Sequence, residues 1–212
     1  MTLVLAFDTA TPQVSVALFD GETVRAERIS ERTMKHGEQL APLIEAVLAD
    51  AGADRYDLSA VAVGAGPGPF TGLRVGLVTA RTLAFVLEIP VYAACSLDVL
   101  AIEAAESGVV DGPFAVATDA RRKEVYLASY SAEGERLDGP VVDVPATLAT
   151  SLPVVGEGAL LYPDAFPHAT GPTRPSAGWL ACAVADERVE LLDPEPLYLR
   201  RPDAVAAHDA RR

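Results

Sequence analysis

Ala6-Phe7-Asp8-Thr9-Ala10, followed by Val14-Ser15-Val16-Ala17, recurs as Ala117-Thr118-Asp119-Ala120-Arg121 followed by Val125-Tyr126-Leu127-Ala128, and this echo decides the fold. Placing Asp8 on Asp119 also brings Val14 onto Val125, Ala17 onto Ala128 and Phe19 onto Tyr130. With two extra residues in the second copy, Gly21-Glu22 falls on Gly134-Glu135. Each copy reads as strand, Asp-led turn, strand, Gly turn, strand. A unit repeated once in 212 residues is far longer than a solenoid period, so it implies two similar α/β domains facing each other across a cleft. Each aspartate stands where a strand gives way to a turn. There it either meets a metal or phosphate-bound cation or closes its own Asx turn.

Composition narrows the function classes. Half the residues are hydrophobic, which is enough for a globular core, and 17 basic against 30 acidic residues give a formal net charge of -13. Phosphate-backbone binding rests on Lys and Arg, so a self-sufficient nucleic-acid binder is disfavoured. Cys95 and Cys182 lie in small apolar contexts without CxxC spacing, the pattern of reduced thiols in a cytoplasmic protein. Met1 to Phe7 is apolar but stops at Asp8, too short for a signal core or a membrane span, and reads as a buried strand.

Residues 2-7, 13-19 and 22-30 form a meander whose first hairpin turns at Asp20-Gly21. The period then changes. Leu40, Leu43, Ile44, Val47 and Leu48 recur at helical spacing, with Gly52 as a stop and Pro42 at the start or at a kink. Residues 60-65 form a strand, Gly64 to Gly72 a Gly/Pro loop, and a helix runs to about Glu88. Residues 89-94 return as a strand and 96-106 as a helix bridging the halves. In the second copy the strands continue at 124-131 and 153-156, with helical segments at 145-151 and 176-186. The division falls between 1-103, carrying partner-binding helices, and a smaller 104-212 with a terminal tail.

Gly66-Pro67-Gly68-Pro69 ahead of a helix has the outline of a phosphate cradle, since helix N-termini present free amides and a positive dipole end. Two prolines remove donors and no Lys-Ser or Lys-Thr follows, so it is not a Walker A loop; its other use is structural, in turns. In the helix behind it, Gly72, Gly76, Ala80 and Ala84 form a small-residue stripe flanked by Leu73 and Leu77. A helix apolar nearly all round is buried on more than one face. Either this chain covers it, or a second subunit packs on it together with the Leu40, Leu43, Ile44 and Val47 stripe. On the second reading, a bulky residue at Gly76 or Ala80 separates two subunits.

His36 has no second histidine at ligand spacing and reads as a solvated helix-start residue. No nucleophile elbow is present. The turn Asp119-Ala120-Arg121-Arg122-Lys123-Glu124 carries three cations, for an anionic ligand, an acidic partner or solvent. Pro196-Leu197-Tyr198-Leu199-Arg200-Arg201-Pro202 reads as a tail that docks Tyr and Leu on the body with its arginines outward.

Phe7-Asp8-Thr9-Ala10-Thr11, His36-Gly37-Glu38-Gln39-Leu40-Ala41-Pro42, Gly66 through Gly76, Asp119 through Tyr126 and Pro196 through Arg200 together resemble the TsaB family of bacterial tRNA threonylcarbamoyladenosine biosynthesis proteins. That family belongs to the acetate kinase/Hsp70/actin superfamily and is related to TsaD. The resemblance spans nearly the whole chain. It implies two actin-like domains, each with a mixed sheet and flanking helices, and no intrinsic catalysis. The chain would be a partner of a TsaD-like catalytic subunit and a TsaE-like ATPase, which together transfer a threonylcarbamoyl group to the adenosine 3' of the anticodon. The resemblance also implies pairing through the first two helices, tRNA contact mainly through the partners and no intrinsic cofactor, with ADP or ATP confined to the partner interface. It implies no metal either, because Cys95 to Ile102 lacks the histidine pair of TsaD. Combined with the two apolar helices, it leads to an expected homodimer in isolation. Asp8, Thr9, Thr11, Asp119, Arg121 and Arg122 are the candidate nucleotide or anion contacts. A standalone actin-like kinase or ATPase is the alternative and would need Asp8 or Asp119 to hold Mg-nucleotide.

Overall fold

The computed structural model describes residues 2–30 and 35–200. In the first half, β1 (Val4–Asp8), β2 (Ser15–Phe19), β3 (Val24–Ile29), β4 (Ala60–Gly66) and β5 (Val91–Cys95) form one sheet in the order β3-β2-β1-β4-β5. In the second, β6 (Phe114–Asp119), β7 (Val125–Tyr130), β8 (Arg136–Asp143), β9 (Val154–Val155) and β10 (Ala169–Thr170) repeat it as β8-β7-β6-β9-β10. In both sheets the first three strands are an antiparallel meander, and the central strand pairs in parallel with the fourth. The same mixed order reached twice bears out the two similar domains of the internal echo and is the actin-like α/β fold that the resemblance implies. β1, β2 and β4 are buried along their whole length, which is why they read as unbroken apolar runs.

Strand pairing moves one correspondence of that echo by a residue. Asp8 lies opposite Ser15, Ala6 opposite Ala17 and Val4 opposite Phe19. In the second hairpin Thr118 lies opposite Tyr126, Val116 opposite Ala128 and Phe114 opposite Tyr130. Ala17 with Ala128 and Phe19 with Tyr130 therefore keep their match, while the strand position of Asp8 belongs to Thr118. Asp119 stands one residue further on. Side chains alternate along a strand, so the two aspartates face opposite sides of their sheets.

Two helix layers follow. α1 (His36–Ala51) and α2 (Phe70–Leu87) cover the outer face of the first sheet. α3 (Ser96–Glu106) and α5 (Ala177–Ala185) lie between the sheets, and the short α4 (Glu157–Leu161) lies on the outer face of the second. α3 is buried on both sides: Val99 and Ile102 face the first half, and Leu97, Leu100, Ala101 and Ala104 face the second.

The expected boundary at 103/104 falls inside α3, and α5 packs back on β1 and β2 of the first half. The tail follows it: Leu192 and Ala93 exchange backbone hydrogen bonds of 2.8 and 3.2 Å, and the Leu197 amide donates to the Ala65 carbonyl at 2.9 Å. The helix expected at 145-151 is instead a pair of turns at Val144–Thr147 and Pro145–Leu148. Helix α4 carries that part of the core with five residues, too few to show a period.

Candidate functional site

The Asp8 turn is sealed by the Gly/Pro loop. Asp8 is 2% exposed; its Oδ1 accepts the Ala10 amide at 2.7 Å and its Oδ2 the Ser96 hydroxyl at 2.5 Å. A Cβ on Gly64 would collide with that carboxylate, which explains a glycine in the middle of β4. Burial raises the Asp8 pKa; the hydrogen bonds from Ser96 and Ala10 and the charge of His36 pull it back only in part. Thr9 donates its hydroxyl to the Gly72 carbonyl at 2.9 Å. His36, buried rather than solvated as expected, donates Nε2–H to the Thr11 carbonyl at 2.7 Å.

The cradle is thus filled by the chain itself. A Cβ on Gly68 would overlap Ala10, one on Gly72 would meet the Thr9 carbonyl at 2.5 Å, and one on Gly76 would overlap the Thr9 hydroxyl. Both Asp8 oxygens and the Thr9 hydroxyl are buried and committed to protein partners, so these residues do not fit a Mg-nucleotide. Arg174 braces the neighbouring cleft: Nε donates to Glu157 at 2.9 Å and Nη1 to Gln13 at 3.0 Å.

Asp119 behaves differently. Its Oδ1 accepts the Arg121 amide at 2.8 Å, and its Oδ2 lies 3.2 Å from the Arg121 guanidinium. Arg121, Arg122 and Lys123 all take left-handed backbone, with φ of 61°, 56° and 62°, a conformation that disfavours non-glycine residues. The tail helps hold it: Arg200 donates to the Ala120 carbonyl at 3.2 Å and pairs with Glu124. Arg200 therefore points inward, against the sequence expectation; Arg201 and Pro202 lie outside the described residues, as does His208.

Sequence reasoning missed a buried cluster where α3 meets the second sheet. Tyr130 donates its hydroxyl to Asp98 Oδ1 at 2.8 Å, with Arg136 at 3.6 Å from Oδ2. Burial pushes Asp98 and Tyr130 up and the Cys95 thiol to about 12. The sequence signal was an aspartate in the first turn of a helix whose other buried positions are nearly all apolar.

The stripes expected at a subunit interface turn inward. Leu40, Ile44, Val47, Leu73, Leu77 and Ala80 join the core under the first sheet, with Leu43 packed against it. Gly72 and Gly76 receive the Thr9 turn, and Ala84 is buried. Leucine stripes seek the sheet and glycine stripes a backbone, and this chain supplies both. What α2 offers outward is a different set: Val78 at 61% exposure, Phe85 at 85% and Val86 at 67%. At its first turn Phe70 stacks on Tyr198 with ring centroids 5.2 Å apart, and Arg74 sits 3.8 Å over the Phe70 ring. Among the described residues α2 is the one helix long and apolar enough to cross a membrane. Its inner stripe belongs to the core of the first half.

Fold and site define a two-domain actin-like protein whose first hairpin is closed and whose second helix carries an exposed apolar face. The family model described as TsaD: tRNA N6-adenosine threonylcarbamoyltransferase matches residues 24–160. The solved structure described as YeaZ from Pseudomonas aeruginosa superposes with a TM-score of 0.79 at 30% identity, covering 94% of this chain and 100% of that one. An uncharacterized protein of Mycobacterium tuberculosis is 44% identical over 96% of this chain and 94% of its own. The tRNA threonylcarbamoyladenosine biosynthesis protein TsaB of Bacillus subtilis is 36% identical over 73% of this chain and 66% of its own. The chain belongs to the TsaD-related family of tRNA N6-adenosine threonylcarbamoyltransferase proteins, on its TsaB/YeaZ branch.

Proposed function

We propose that this chain is the non-catalytic subunit of a tRNA threonylcarbamoyladenosine-forming complex and that it docks a TsaD-like catalytic subunit on the outward face of α1 and α2. The observation that carries this reading is the Val78, Phe85 and Val86 row at i, i+7 and i+8 on α2, exposed while the inner stripe of that helix is fully used. A large solvent-facing apolar row marks a contact surface. The sealed Asp8 turn argues against the standalone kinase, because the carboxylate that would hold Mg-nucleotide is consumed by Ser96 and Ala10. A net charge of -13 supports tRNA contact mainly through the partners, and a TsaE-like ATPase completes the proposed assembly. The same α2 face pairs two copies when no partner is present. The thiol pattern of Cys95 and Cys182 fits a cytoplasmic setting.

The test is co-elution of the purified chain with a recombinant TsaD-like protein. Wild type should form a stable complex and Phe85→Asp should not, with its melting temperature unchanged. Equal complex formation by both proteins would remove α2 from the interface, and no complex with either would overturn the subunit reading.

A further inference from the structure

The outer faces of the two sheets are closed unequally. On the first, α1 and α2 supply 16 and 18 residues; on the second, the equivalent stretch folds only the five residues of α4. The shortfall leaves a concavity of about 600 Å³ between the β6–β7 turn, the loop after β8 and the end of α4. Val144, Pro145, Leu161 and Tyr162 wall it, and Lys123 and Asp164 are its charged lining residues.

At about 600 Å³ the concavity lies within the range of small-ligand pockets, apolar with a few polar groups. Prolines among its walls keep it pre-formed.

Charge decides the class. Across the turn, Asp119 is matched by Arg121 and Glu124 by Arg200. Lys123 forms no ion pair or hydrogen bond among the described residues, yet the left-handed turn holds it at the rim. Strain retained at such a position points to use. Asp164 opposes a second negative charge on the same occupant.

We propose that this concavity binds a small aromatic monoanion, its ring against the Leu161 and Tyr162 wall and its carboxylate or sulfonate on Lys123. The site is separate from the α2 face and does not depend on the subunit reading.

The probes are 8-anilinonaphthalene-1-sulfonate and its uncharged relative N-phenyl-1-naphthylamine, titrated into the full-length chain by fluorescence. A charge-assisted contact at Lys123 should make the sulfonate bind roughly tenfold tighter than the neutral dye. Lys123→Met should abolish that preference. Ala146→Trp, at an exposed lining position, should fill the concavity and weaken both dyes at least as much. Thermal melting of each variant checks that the fold is kept. No dye binding by wild type, an unchanged preference in Lys123→Met, or unchanged binding in Ala146→Trp would each overturn the proposal. A signal removed by Phe85→Asp instead would place the dye on α2 and overturn it equally.

Discussion

Gly76 lies directly against the hydroxyl of Thr9, so closely that a β-carbon on the glycine would overlap the threonine oxygen. Two segments far apart in sequence touch there through backbone and a hydrogen-bonded side chain, since Thr9 also donates to Gly72 at 2.9 Å. The small-residue stripe of α2 is thus a docking groove for this chain's own first turn.

Gly76→Leu should therefore destabilise the isolated chain, not merely its complexes. Overpacking against the buried Thr9 side chain costs about 3 kcal/mol. For a chain of this size that is a fall in melting temperature of roughly 10 °C. Calorimetry on the chain alone checks it; a variant melting like wild type would show that α2 shifts freely away from the turn.

Replacing Asp8 separates a structural carboxylate from a metal-holding one. Asp8→Ala leaves the Ser96 hydroxyl and the Ala10 amide without their acceptor in a buried site, a loss of about 2–3 kcal/mol. Asp8→Asn keeps one acceptor oxygen and one group able to meet Ser96, so it should stay within about 1 kcal/mol of wild type and retain partner binding. Urea denaturation of both variants reads the difference. A complex-forming activity that vanishes in Asp8→Asn with stability intact would return the carboxylate to a functional role.

Which parts of this were legible in sequence follows from what each pattern encodes. Apolar runs and helical spacing encoded the meanders, α1, α2 and α3, because β1 and β2 are buried throughout and the helices bury one face or more. The Asp8 and Asp119 match encoded duplication but not register: a one-residue slip leaves the letters aligned and turns the side chains to opposite faces. The Gly72 to Ala84 stripe encoded close approach but not the identity of the approaching group, and Thr9 is 63 residues from Gly72. Return of α5 to the first sheet left no local trace, since Ala177 to Ala185 is apolar all round and suits either half. His36 lacked a readable partner because it binds a backbone carbonyl, that of Thr11.

The outward row of α2 should set the oligomeric state of the isolated chain. Phe85→Asp places a charge at the centre of the apolar row, where pairing of two copies would leave it desolvated. Small-angle scattering should give a dimer for wild type at micromolar concentration and a monomer for the variant. Monomeric wild type at every concentration would leave the row to a different partner alone.

Glu103 gives a pH signature. It lies on α3, and one of its carboxylate oxygens is buried without a hydrogen-bond partner. Burial, with the charge of Glu27 adding to it, lifts its pKa from the ordinary 4.5 to about 7. Between those two values the folded chain holds a proton that the unfolded chain has lost. Stability therefore falls as pH rises through this window and levels off above about 7. Below 4.5 both states are protonated and the residue contributes no slope. Glu103→Gln keeps the shape of the protonated acid and removes the titration, so it should match wild type near pH 4.5 and melt higher than wild type at pH 8. Melting curves of the two proteins from pH 4 to pH 8 measure it. Parallel curves across the whole range would mean that water reaches the buried oxygen and that Glu103 titrates like an exposed carboxylate.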